Sequence, residues 1–97
     1  MAKRIKWSKR SRKDRLEIFQ YWTDRNKSKT YSKKLKQLFN DSINRASKSP
    51  ESGTPTDLPN VKIKMVKDYL LFYSIEPDFI EVITIWDSSR DPKKFSL

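Results

Sequence analysis

Apolar and charged residues alternate from Arg4 to Trp7, with Ile5 and Trp7 on one side and Arg4 and Lys6 on the other. This period of two predicts a short half-buried strand, and its two basic residues suit an exposed sheet edge. The period then lengthens. Ser11 is placed to cap a helix reaching about Arg25, on which Ile18, Phe19 and Trp22 share a stripe with Leu16 and Tyr21 at its margins. After a polar break at Asn26, Lys27 and Ser28, a second helix is predicted to run from a Ser28 cap to about Lys48. Its apolar residues Tyr31, Leu35, Leu38, Phe39, Ile43 and Ala46 recur at steps of three and four. So short a break makes the two helices an antiparallel hairpin.

Residues 49–59 hold three of the five prolines and the single glycine, Gly53, so the second helix stops there and a crossing loop follows. Three β-type runs come next. In Val61–Val66, Lys62, Lys64 and Val66 point one way and Val61, Ile63 and Met65 the other. Lys67-Asp68 forms a two-residue turn into Tyr69–Ile75, and Glu76-Pro77-Asp78 forms a turn into Phe79–Trp86. Tight turns make these three strands antiparallel neighbours. With Leu71, Tyr73 and Ile75 assigned to the helix side, the other side is expected to carry Lys62 and Lys64 beside Leu70 and Phe72. The whole predicts one α+β domain over residues 1–97, β-α-α-β-β-β, an antiparallel sheet packed on a two-helix hairpin.

Charge adds a polarity to this layout. The chain has 22 Lys and Arg against 12 Asp and Glu, a formal +10. Residues 1–48 alone carry +12, residues 49–59 carry −2 and the remainder is neutral. Such a field attracts polyanions or an acidic protein. The absence of cysteine and histidine removes disulfides, thiol nucleophiles, the usual zinc sites and the commonest general base. No metal or small-molecule cofactor is expected. The start MAKRIKW has no apolar core of a signal peptide, and no run approaches 18 apolar residues, so no membrane partner is expected and the cytoplasm is the default location.

The order of elements, together with LEIFQYW at 16–22, Pro50 and Gly53 in the loop, YLLFY at 69–73 and DSSRDP at 87–92, resembles the RelE/ParE superfamily of bacterial type II toxin-antitoxin systems. The resemblance covers Ile5 to Phe95. It implies a toxin neutralised by a cognate antitoxin that wraps an extended segment around it. One branch of the superfamily cleaves messenger RNA on the ribosome, using basic residues on the open sheet face and a C-terminal tyrosine; the other poisons DNA gyrase without that set.

On the ribonuclease pattern Lys62 and Lys64 match a Lys-x-Lys pair and Arg90 a C-terminal arginine, which makes these three the candidate catalytic residues. The pattern departs at Leu70, where that branch has arginine, and at Phe95, which stands where it has tyrosine and has no hydroxyl for proton transfer. Metal-free cleavage through a 2′-hydroxyl requires a base, charge on the phosphorane and a proton donor, so the set is incomplete. Lys67, Leu70, Phe72, Lys93, Lys94 and Phe95 are the candidate substrate- or partner-binding residues, with Leu70 and Phe72 beside the lysines suited to an antitoxin segment. Lys62, Lys64 and Arg90 make a ribosome-dependent mRNA endoribonuclease the leading expectation, with gyrase inhibition without catalytic chemistry as the alternative, so the expected partners are the antitoxin and the ribosome with its mRNA, or alternatively DNA gyrase. A third reading is a small basic nucleic-acid-binding module using the N-terminal charge.

Overall fold

The computed structural model describes residues 2–88. Its elements are β1 (Arg4–Trp7), α1 (Lys9–Asn26), α2 (Thr30–Lys48), a 3₁₀ turn (Pro50–Ser52), β2 (Thr54–Pro55), β3 (Val61–Val66), β4 (Tyr69–Ile75) and β5 (Phe79–Asp87). The five strands run in the order β1-β5-β4-β3-β2, with β1 parallel to β5 and the other neighbours antiparallel. The α+β class and the helical hairpin are as expected. The sheet is mixed rather than wholly antiparallel, and the proline-rich loop hides the two-residue β2. There Pro55 sits on an edge strand, where its missing N–H costs no ladder bond.

Both helix starts differ from the sequence reading. Ser8, not Ser11, caps α1: its hydroxyl accepts from Ser11 N at 3.0 Å, and Ser11 is fully buried. For α2 the cap position is Lys29, although Ser28 Oγ still accepts from Thr30 N at 3.2 Å. Lys27 ends α1 in the left-handed conformation, φ 54°, which supplies the reversal between helices without a glycine.

The helices cover one face of the sheet. Leu35, Phe39, Ile43 and Ala46 of α2 are fully buried, as their spacing requires, against Leu71 and Tyr73 of β4 and Ile80 and Val82 of β5. Phe39 stacks on Phe19 with centroids 6.0 Å apart and meets Tyr69 edge-on at 5.8 Å. α1 contributes the partly buried Ile18, Phe19 and Trp22, while Leu16 and Tyr21 lie outside the core at 69% and 52% exposure.

α1 is tied to the sheet where β1 runs out. β1 pairs with β5 only as far as Trp7 opposite Val82, which leaves the edge of β5 open beyond it. Asp14 closes that edge, its Oδ2 accepting from Ile85 N at 3.1 Å and Thr84 Oγ1 at 2.7 Å. Along the β4–β5 ladder Tyr73 faces Val82 and Phe72 faces Thr84, so Ile83 is the extra residue of a bulge. Its carbonyl accepts from Ser8 Oγ at 2.6 Å. The cap of α1, the end of β1 and the bulge are thus one junction.

The facing of β3 is the main correction. Lys62 stands opposite Tyr73, Lys64 opposite Leu71 and Val66 opposite Tyr69, so the lysines share the helix-side face. Leu70 and Phe72 oppose Met65 and Ile63 on the reverse side. The expected grouping of Lys62 and Lys64 with Leu70 and Phe72 does not form. β3 lies toward the sheet edge, where a lysine stem can lie along the protein while its head stays polar.

Candidate functional site

Two sets of residues follow from that register, one on each face. On the helix side, the Lys62 side chain is only 12% exposed and its Nζ lies 3.4 Å from Glu51 Oε2 of the 3₁₀ turn. Beside it Tyr73 donates from its hydroxyl to Pro50 O at 2.6 Å, and burial pushes the Tyr73 phenol upward from its ordinary range. Gly53 presses against both. A Cβ there would lie 2.9 Å from Lys62 Cβ and collide with the Tyr73 hydroxyl, so the chain needs glycine for close approach and not for its backbone angles. The Lys62 corner is thereby a brace between the 3₁₀ turn and the sheet. Lys64 is half-buried two pairs further along.

On the reverse face, the register aligns Met65 of β3, Leu70 of β4 and Trp86 of β5 in one row across three strands. Met65 is 69% exposed, and Leu70 and Trp86 are half-buried. The next row contains Ile63 and Phe72, and Phe72 is 7% exposed. Among the described residues both helices pack on the other side of the sheet. Met65 and Trp86 escape sequence reasoning as site candidates, because apolar character alone assigns a strand residue to the helix side. Their signal is the Lys67-Asp68 turn, which fixes which residues stand opposite. Lys67 sits in that turn, exposed and at φ 55°. Arg90, Lys93, Lys94 and Phe95 lie outside the described residues.

A separate groove of ≈ 510 Å³ opens between α1 and the far ends of β4 and β5, lined among others by Asp14, Ile18, Trp22, Tyr69 and Ile85. In it Trp22 Nε1 donates to Tyr69 Oη at 2.8 Å, and burial raises the Tyr69 phenol above its ordinary range. Among the described residues it takes in none of the sequence-predicted ones. Among the described residues there is no group of three or more acidic residues placed to hold a metal ion, and no helix is long and apolar enough to cross a membrane.

The family model for the ParE toxin of the type II toxin-antitoxin system parDE matches residues 5–92. The chain belongs to the ParE toxin family. Among solved structures it is similar to a chain of the chromosomal ParDE toxin-antitoxin system from P. aeruginosa, with a TM-score of 0.76 and 13% identity, over 89% of this chain and 96% of that one. At that identity the likeness concerns the fold. No protein of curated function matches by sequence. Membership of a ParE family gives the chain an antitoxin as partner, as the resemblance implied.

Proposed function

We propose that this ParE-family toxin acts as a binding poison of DNA gyrase, without cutting RNA, and that its antitoxin lies across the Met65–Leu70–Trp86 row on the sheet face away from the helices. The observation that carries this reading is the separation of charge from the apolar surface. Lys62 and Lys64 are on the helix side, one of them committed to Glu51, while the apolar row is on the other. A cleft for RNA would need cations gathered around one phosphate. An apolar row across three strands, exposed at Met65 and half-buried at Leu70 and Trp86, suits a protein segment, since buried apolar anchors carry most interface energy.

Induction in cells tests the target. Gyrase poisoning is expected to produce DNA breaks with messages intact, and purified protein to increase gyrase-linked DNA cleavage. Alanine at both Lys62 and Lys64 is expected to leave growth arrest in place. Codon-phased cuts in cellular mRNA, abolished by those same substitutions, would replace this reading with the ribosome-dependent ribonuclease.

A further inference from the structure

The helical hairpin has a second polarity, unrelated to the sheet face. Its inward side holds the aromatic residues Phe19, Trp22, Tyr31 and Phe39. Its outward side exposes Lys9, Arg12 and Lys13 on α1 and Lys33, Lys36 and Lys48 on α2. Because the helices are antiparallel, the end of α2 that carries Lys48 returns to the end of α1 that carries Lys9.

The four acidic side chains of the two helices offset only part of this charge. Asp24 accepts from Gln20 Nε2 at 2.8 Å and Asp41 from Gln37 Nε2 at 2.9 Å, both neutral amides. Asp14 is turned inward to Thr84 and the Ile85 amide, and Glu17 lines the groove against β4 and β5. Neither helix has an acidic residue in its first turn, and α1 places basic residues there, against the sign its dipole favours. The ion pair of Lys62 with Glu51 lies outside the hairpin. These carboxylates keep their charge, but with eleven Lys and Arg against four Asp and Glu the two helices remain net positive by seven.

We propose that the outer face of the α1–α2 hairpin binds the phosphate backbone of double-helical DNA without reading sequence. Lysines are point-charge phosphate binders, and those from Lys33 to Lys48 extend about 22 Å along α2 at 1.5 Å per residue. Single-strand sites pair such charge with exposed aromatic platforms. Here the rings face inward, and half-exposed Tyr21 accepts from Arg25 Nη1 at 3.1 Å. Duplex RNA is recognised largely through its A-form shape and 2′-hydroxyl contacts across the minor groove, whereas this face offers mainly Lys and Arg charge. What remains is charge on a rigid rod, which fits a regular duplex backbone. This surface lies across the helix layer from the Met65–Leu70–Trp86 row, so DNA and a protein segment can be held together.

The test is fluorescence anisotropy of the purified chain with a labelled 20-base-pair DNA duplex, an RNA duplex of the same sequence and the single DNA strand, between about 50 and 200 mM salt. The expected result is tightest binding to duplex DNA. The triple variant Lys33→Gln, Lys36→Gln, Lys48→Gln should lose at least about tenfold in affinity at the lowest salt, and its log–log salt slope should be shallower by about 0.9 for each phosphate no longer neutralised. Lys6→Gln is the control. Lys6 lies on the opposite side of the sheet, over the Phe79 ring at 4.1 Å, and its replacement should leave affinity within twofold. Circular dichroism melts confirm that each variant is folded. No duplex binding at the lowest salt, an unchanged slope in the triple variant, an equal loss per charge in Lys6→Gln, or tighter binding of either other nucleic acid would each overturn the proposal.

Discussion

The two faces of the sheet use the same kinds of residue for opposite ends. On the helix side, aliphatic and aromatic residues are sealed, and even a lysine is drawn in: Lys62 is 12% exposed and braced on Glu51. On the reverse side, Met65 is an apolar residue left 69% exposed, in line with the half-buried Leu70 and Trp86. Residue type therefore predicts facing poorly near a sheet edge. A long side chain tolerates either environment: lysine hides its stem, and methionine is adaptable at binding surfaces. What distinguishes the faces is the helical layer.

The sharpest way to break the comparison is to cut into the sealed face. Phe39→Ala removes a fully buried ring that stacks on Phe19 and meets Tyr69, and is expected to cost about 3–5 kcal/mol in chemical denaturation. A loss below about 1 kcal/mol would show that the hairpin does not seal this side. Next in size is an effect on binding. Met65→Ser with Leu70→Ser is expected to weaken antitoxin affinity by about 1–3 kcal/mol, measured by calorimetry. Met65→Ser alone should change unfolding stability by no more than about 0.5 kcal/mol. If antitoxin affinity is unchanged, this face is not its seat.

Gly53→Ala sharpens the role of the Lys62 corner. The added methyl collides with the Tyr73 hydroxyl, so a loss of about 1–3 kcal/mol is expected, and Gly53→Ala in a Tyr73→Phe background should lose less. The smallest effect is one of pH. Tyr69 and Tyr73, both on the helix side, hold their protons more tightly folded than unfolded, chiefly through burial. Their contribution is complete below the unfolded phenol value of about 10 and is lost as pH climbs from there through the folded values. Denaturation midpoints should fall above pH 10, and Tyr69→Phe or Tyr73→Phe should each flatten the fall. An unchanged slope would place the phenols in contact with water.

Much of this layout is legible in the sequence. The steps of three and four from Tyr31 to Ala46 locate α2 and its buried face, because a helix can bury only such a stripe. The two turns at Lys67-Asp68 and Glu76-Pro77-Asp78 bound the meander. The start of α1 is ambiguous locally, because Ser8 and Ser11 both offer a capping hydroxyl, and only the bulge at Ile83, made by a distant segment, selects Ser8. The facing of β3 is misread from side-chain character although the turn holds the answer. A two-residue connection places Val66 against Tyr69, and therefore Lys64 against Leu71 and Lys62 against Tyr73. Geometry at the turn outweighs the apolar character of Met65, because a ladder shifts as a unit and a single side chain does not. The Asp14 closure of β5 has no local signal, since its partners Thr84 and Ile85 lie far along the chain.

The junction where Ser8 meets Ile83 joins residues 75 positions apart, and among the described residues all of β1 pairs with β5 alone. Such contacts close a loop that spans most of the chain, which slows folding relative to the local hairpins. During synthesis the first half leaves the ribosome with its edge strand unmatched and without the strands that α2 packs on. The sheet can shut only after the last strand appears. For a toxin this delay has a use: until translation is nearly finished there is no completed fold with which to do harm.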